Sequence, residues 1–210
     1  MRGLVLVAAL ACSGFIVPAA RAQTEAPAAV AASIDLPAGE YRLDPRHASV
    51  LFKIQHMRLS WFTARFDSID GTLTLNPDDL TQSHLQASVG ADSVNTNVLN
   101  SSGERNFDAQ IGRALGAAAS PRISFTSTAI ERTGESTGRV TGDLTMNGQT
   151  HPATLDVTFY GGHNDLLRGG MALGFSAAGT INRRDWDVDQ WAAFTGDEVQ
   201  IVIEAEFVKD

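Results

Sequence analysis

Val140-Thr-Gly-Asp-Leu-Thr-Met146-Asn147-Gly148-Gln-Thr150, continued by Leu155-Asp-Val-Thr-Phe159, decides the fold class. Val140, Leu144 and Met146 share one parity ahead of Asn147-Gly148, and Leu155, Val157 and Phe159 share one parity after it. A period of two puts successive side chains on opposite faces of a strand, so each run is half buried and half wet. Both central residues of a tight type I′ turn need positive φ, which asparagine and glycine tolerate best, so Asn147-Gly148 predicts a β-hairpin. A hairpin makes the two strands antiparallel.

The same period recurs on both sides. Val50, Phe52, Ile54 and His56 alternate with Leu51, Lys53, Gln55 and Met57, and Phe62, Ala64 and Phe66 follow suit. Further runs are Gly71–Leu75, Leu85–Val89, Ile123–Phe125, Met171–Ile181 and Val199–Phe207. Asn76-Pro77-Asp78, Gly134, Gly138, Gly161-Gly162 and Gly169-Gly170 punctuate them as turn signals. Many short strands without recurring helices predict a sandwich or a barrel, and a barrel removes exposed edges by closing. Two segments break the period. Glu104–Leu115 sets Phe107, Ile111, Ala114 and Leu115 at helical spacing with Gly116 as a cap, and a shorter turn of helix is expected over Val188–Phe194. The expectation is an all-β chain with one or two short helices.

The first residues set the expected compartment. Met1-Arg2 is followed by an apolar run from Gly3 to Val17, and Ala20-Arg21-Ala22 fits the small-x-small pattern of a cleavage site. Residues 1–22 therefore read as a secretory signal peptide, cleaved after Ala22, and the mature chain is expected in the periplasm. Residues 23–39, rich in alanine and proline, read as a flexible lead, and 40–210 as one domain. Cys12 is the only cysteine and falls in the apolar run, so the mature chain has no disulfide, thiolate metal site or cysteine nucleophile. Without Arg2 and Arg21 there are 14 basic against 24 acidic side chains, a net charge of −10. Such a surface repels nucleic acid.

Motifs for chemistry are scarce. His47, His56, His84, His151 and His163 form no close metal-ligand pair, and the odd spacing of His47 and His56 puts them on opposite faces of a single strand. Asp185-Trp-Asp187-Val-Asp189 begins like a calcium loop, but Gln190 and Gly196 stand where that loop needs glycine and glutamate. No nucleophile elbow, phosphate-binding loop or dinucleotide fingerprint occurs, so neither a metal nor a resident cofactor is expected. What remains is a supply of apolar side chains of matching parity: Phe52, Ile54, Phe62, Phe66, Leu73, Leu75, Val89, Phe125, Leu144, Met146, Phe159, Leu173, Phe175 and Ile181. In a closed barrel these face one another. A small barrel fills its interior with such side chains and a slightly wider one holds a ligand; periodicity alone leaves both open.

Four segments in order resemble the YceI-like family of exported, lipocalin-like polyisoprenoid-binding proteins. They are Tyr41-Arg-Leu-Asp-Pro-Arg-His47 running on to His56-Met57, Pro121-Arg-Ile-Ser-Phe125, Gly142–Thr150, and Gly174-Phe175 running on to Arg183-Arg-Asp185-Trp. The resemblance covers Tyr41 to Phe207. It departs at Asn97–Asp108, where the family's Arg-Asp-x-His-Leu is missing and only Phe107-Asp108 matches, and at Asp187, where many members have glycine. It implies an extended antiparallel lipocalin-like β-barrel of about eight strands, with a long apolar tunnel and a helix near one end. The implied partner is an isoprenoid lipid, isoprenoid quinone or other long-chain amphiphile, held without covalent chemistry. The apolar set above would line the tunnel, and His47, His56, Arg183 and Asp185 would meet a head group at its mouth. The function this implies is binding and carriage, not catalysis. A lipid-acting enzyme, or a quinone-presenting accessory to a membrane redox partner such as a cytochrome, are the alternatives. A homodimer is the default assembly for such barrels but has no sequence signature.

Overall fold

A computed structural model describes residues 36–165 and 169–209. The expected signal peptide and most of the lead lie outside the described residues. The described chain forms β1 (Gly39–His56), β2 (Ser60–Phe66), β3 (Ile69–Leu75), β4 (His84–Gly90), β5 (Val94–Asn95), α1 (Asn106–Ala114), β6 (Arg122–Arg132), β7 (Thr137–Met146), β8 (Gln149–Asn164), β9 (Met171–Asn182) and β10 (Thr195–Lys209).

Every pairing is antiparallel. The hairpin at Asn147-Gly148 forms as its chemistry predicts, with φ of 49° and 74° and Met146 opposite Gln149. From it the sheet spreads both ways, through β8, β9 and β10 on one side and β6, β4 and β3 on the other. β1 joins the two ends. It pairs with β10 from Arg42↔Val208 to His56↔Thr195, and with β3 at Gly39–Arg42. Eight strands thus close an antiparallel barrel, with β2 and β5 as additional strands.

The extra strands follow from the length of β1. Its first residues pair with β3 and its last with β2, so β2 and β3 act as one long strand interrupted at Asp67-Ser68. The neighbouring β4 and β5 are interrupted at the same level. There Asp67 N–H donates to Ser93 O (2.9 Å) and Gly90 N–H to Ser68 O (2.9 Å). A second irregularity sits within β1, where Leu43↔Phe207 is followed by Ala48↔Ala205. Pro45, which has no N–H to give a ladder, falls in this bulge. Buried Asp44 accepts the Arg46 N–H there (3.1 Å).

The wall has one wet and one dry face. On β7, Val140, Gly142, Leu144 and Met146 are buried while Arg139 and Asp143 are exposed. Water outside and apolar side chains inside is the reverse of a transmembrane barrel. Gly142 makes room for a neighbour: a Cβ there would fall 2.5 Å from the Phe125 ring and 2.4 Å from Thr126 O.

Two turn signals have other roles. Gly138 lies inside β7, and Gly161-Gly162 lies inside β8 at a bulge between Phe159 and Gly161. The short helix expected over Val188–Phe194 is a turn, and a 3-10 helix forms just before it, at Arg183–Trp186. Its N-cap is Asn182, whose side chain accepts the Arg184 N–H (3.1 Å). Asp187 ends it at φ 57°. That is the conformation a glycine would take there, and aspartate is among the few other residues that tolerate it.

Candidate functional site: an apolar barrel cavity

The barrel encloses a cavity of about 920 Å³. All fourteen apolar residues of matching parity line it: Phe52, Ile54, Phe62, Phe66, Leu73, Leu75, Val89, Phe125, Leu144, Met146, Phe159, Leu173, Phe175 and Ile181. Periodicity left the lumen either filled or open, both of which an eight-stranded ring allows; it is open, with these side chains lining the space and not filling it. The residues that parity assigned to one face come together because strand register carries that face around the ring. Phe52 stands opposite Ile201 and Ile54 opposite Val199, all four on the cavity.

One end of the barrel is packed along β1, β3, β9 and β10, and beside that packing the β6–β7 turn, from Arg132 to Arg139, borders the cavity. Tyr41 is fully buried there and its hydroxyl donates to Pro37 O (2.6 Å). Burial raises the pKa of this phenol. Leu36, Leu73, Leu75, Met171, Leu173 and Phe207 pack around it. The Phe159, Phe175 and Phe207 rings step inward from this plug, with centroids 5.1 and 6.0 Å apart.

The opposite end divides into a sealed half and an apolar mouth. Under β7 and β8, Trp186 is 1% exposed. Its Nε1 donates to Leu144 O (2.9 Å), its carbonyl accepts Asn147 Nδ2 (3.0 Å), and His151 meets it edge-on. Beside β1 and β2, the cavity is bordered by Phe62, Phe107 and Trp191, with consecutive ring centroids 5.7 and 6.0 Å apart. Phe107 comes from α1, the helix legible from the spacing of Phe107, Ile111, Ala114 and Leu115. Buried Asp108 pins that helix by accepting the Thr96 N–H (3.0 Å).

The four polar candidates separate. His56 lies at the mouth, on the cavity. Arg183 also reaches the cavity but is buried and committed to structure. Its Nε donates to Gly196 O (2.8 Å), its Nη1 to Val188 O and Gln190 O, and its Nη2 pairs with Asp197 (3.4 Å). Burial lowers the guanidinium's pKa, and Asp197 works in the opposite direction. These bonds hold the segment bearing Trp191 and Phe194, and they replace the helical bonds expected over Val188–Phe194.

His47 and Asp185 are not on the cavity. His47 is on the outer face, opposite in parity to His56, with Nδ1 2.7 Å from Asp44 and 3.8 Å from Glu206. These three residues offer ligand atoms within 4.8 Å of one another. The Asp44–His47 contact sits in the same bulge as the Arg46 N–H bond, so it ties down the bulged backbone. Asp185 is exposed on the 3-10 helix, which turns the adjacent Trp186 inward instead.

Other cavity residues were legible as strand or helix members but not as lining. Val50, Ile201, Ile203 and Phe207 have the right alternation, and their inward face follows only once β1 and β10 are paired. Phe107, Ile111 and Trp191 join from outside the strands. The divergent Asn97–Asp108 segment gives the cavity Phe107 alone. Its preceding loop closes on itself, with Glu104 N–H donating to Asn100 Oδ1 (2.8 Å).

Residues 41–207 match the YceI-like domain family. Protein YceI of Salmonella newport is 33% identical over 174 residues, covering 82% of this chain and 88% of that protein. Among solved structures, Burkholderia cenocepacia BcnA superposes with a TM-score of 0.65 at 21% identity, covering 78% of this chain and 98% of that one. A polyisoprenoid binding domain from Saccharophagus degradans, implicated in plant cell wall breakdown, gives 0.55 at 16% identity, covering 81% and 98%.

Proposed function

The chain belongs to the YceI-like domain family, and from that premise we propose that it is a periplasmic carrier for a long isoprenoid lipid or isoprenoid quinone. The observation that carries the reading is the open, apolar cavity of about 920 Å³ inside a closed barrel. Pockets for small organic ligands run to about 300–1,000 Å³, so this one lies at the large end. Each methylene transferred into it from water contributes roughly 0.8 kcal/mol, so a polyprenyl tail binds firmly through contact alone. Such transfer is non-directional, so the cavity selects length and girth ahead of chemical detail. Resemblance of fold to a polyisoprenoid binding domain supports the isoprenoid class. The small-x-small site at Ala20-Arg21-Ala22 supports export.

Catalysis would call for titratable groups converging on one point of the cavity. Of the titratable groups that border the cavity, His56 lies at the mouth, Arg183 gives its donors to Val188, Gln190, Gly196 and Asp197, Asp70 pairs with Arg122, and Arg132 and Arg139 at the β6–β7 turn bond to the turn's own carbonyls and to Asp156. Binding is therefore the favoured reading.

Organic extraction of protein purified from the periplasmic fraction, followed by mass spectrometry, should release an isoprenoid lipid or quinone. The purified barrel should also take up added polyprenol. Phe125→Arg, which puts a charge into the cavity wall, should abolish that uptake. No extractable lipid together with no uptake would overturn the proposal.

A further inference from the structure

Seven large apolar side chains are exposed among the described residues, and six of them cluster at the mouth: Met57, Leu59, Trp61, Val98, Leu99 and Phe194. They come from three segments at the same end of the barrel. The β1–β2 turn is tied to the Trp191 segment by Met57 N–H donating to Phe194 O (2.7 Å). The third segment leaves β5, whose antiparallel pairing with β2 sends it toward that same turn. Leu59 is 82% exposed, and the informative feature is its place in a group of six exposed apolar side chains.

Charge follows the same boundary. The chain carries 24 carboxylate side chains, yet none falls in residues 45–66, 93–103 or 190–196. The β1–β2 turn carries Arg58 at its tip, and Lys53 Nζ stands 5.6 Å over the Trp61 ring. The rim itself is apolar with Arg58 and Lys53 on it, continuous with the cavity through Phe62, Phe194 and Trp191, and the nearest carboxylates, Asp189 and Asp197, are paired with Arg184.

Backbone conformation points the same way. Met57 and Arg58 both take positive φ, at 51° and 59°, and Trp191 does so at 56°. These residue types resist that region. Asparagine or glycine would relieve the turn, and neither stands at these positions.

We propose that this rim seats on the surface of a lipid bilayer and brings the cavity mouth against the membrane that holds the ligand. The proposal rests on the lipid-carrier reading above. Leucine, methionine and tryptophan at the rim enter the interfacial layer, while Arg58 and Lys53 meet anionic phosphates. The acidic remainder of the barrel is repelled, which orients the mouth toward the membrane.

The barrel closes within residues 39–209, so the test uses chain 23–210 with vesicles of phosphatidylethanolamine and phosphatidylglycerol free of any isoprenoid. The wild type should float with these vesicles, less strongly at raised salt. Leu59→Ser combined with Trp61→Ser should lower the partition roughly tenfold or more. Neither residue lines the cavity, so polyprenol uptake from detergent solution should be unchanged in that variant. Leu99→Ser, on a separate loop, provides the same comparison should the double variant melt early. Failure of the wild type to float, or equal flotation of wild type and variants, would overturn the proposal. So would a wild-type dimer in sedimentation that is lost in the variant without any flotation, because the rim would then cover a second copy. Flotation without polyprenol uptake would retain the rim and refute the carrier reading; uptake without flotation would do the reverse.

Discussion

The β7–β8 and β1–β2 hairpins turn at the same end of the barrel, and both pass through two residues of positive φ. In the first these are Asn147 and Gly148, at 49° and 74°; in the second, Met57 and Arg58, at 51° and 59°. The pair of positive φ values is shared, although the first loop has two residues and the second three, and the chemistry is opposed. Asn147 also serves the fold beneath it, donating to the carbonyl of fully packed Trp186. Met57 is exposed, and only its backbone N–H is tied down, to the carbonyl of exposed Phe194. A turn with the residues its backbone demands marks the sealed half of the end, and a turn at odds with its backbone marks the open half. Holding an L-residue in the left-handed region costs roughly 1–2 kcal/mol, so the open half is maintained against local preference.

The largest break in this comparison is expected on the sealed side. Trp186→Ala removes a side chain that is 1% exposed and leaves Leu144 O without its indole donor. It should cost about 3–5 kcal/mol of stability in urea unfolding. A loss under about 1 kcal/mol would show that the sealed half is no better packed than the rim.

Arg183→Met tests the link between the halves. The guanidinium is buried and ties Val188, Gln190 and Gly196 to the 3-10 helix, so its removal leaves several carbonyls without a donor. Hydrogen bonds to a charged group contribute about 1.5–3 kcal/mol each, partly offset here by relief of the burial that lowers the arginine's pKa. The expected net loss is about 2 kcal/mol, with faster release of bound polyprenol as the Trp191 segment loosens. Unfolding curves and ligand off-rates measure both effects.

The two halves were also unequally legible in the sequence. Asn147-Gly148 announces its hairpin because asparagine and glycine are demanded by the backbone itself, and the period-two runs beside it name one face of each strand. That much placed all fourteen apolar residues on a common surface. Lumen width was not legible, because it depends on how many strands close the ring, and closure is made by β1 meeting β10 across about 150 residues. The inward face of Ile201 and Ile203 waited on the same pairing. Nothing in Met57-Arg58-Leu59 signals a tight turn, since its residues answer to surroundings and not to φ. His47 falls on the outer face, as its odd spacing from cavity-facing His56 requires, and Asp185 is turned out by a helix that presents Trp186 to the core in its place. Arg183 reads as a cation for a head group, yet in the fold it serves backbone carbonyls that are distant in any strand pattern.

Exchange of the turn chemistries gives the smallest expected change and the sharpest one. Met57→Asn with Arg58→Gly gives the β1–β2 turn the residues of its β7–β8 counterpart without touching the barrel wall, since neither position lines the cavity. Relief at two positive-φ sites should raise stability by about 1 kcal/mol, less than the full conformational cost because glycine also gains freedom in the unfolded chain. The Met57 N–H bond to Phe194 O is a backbone bond and survives the change. If the turn is kept for its side chains, the more stable protein should float less well with anionic vesicles, having lost one apolar anchor and one cation. A variant both more stable and equally membrane-bound would show that Met57 and Arg58 serve neither the fold nor the rim.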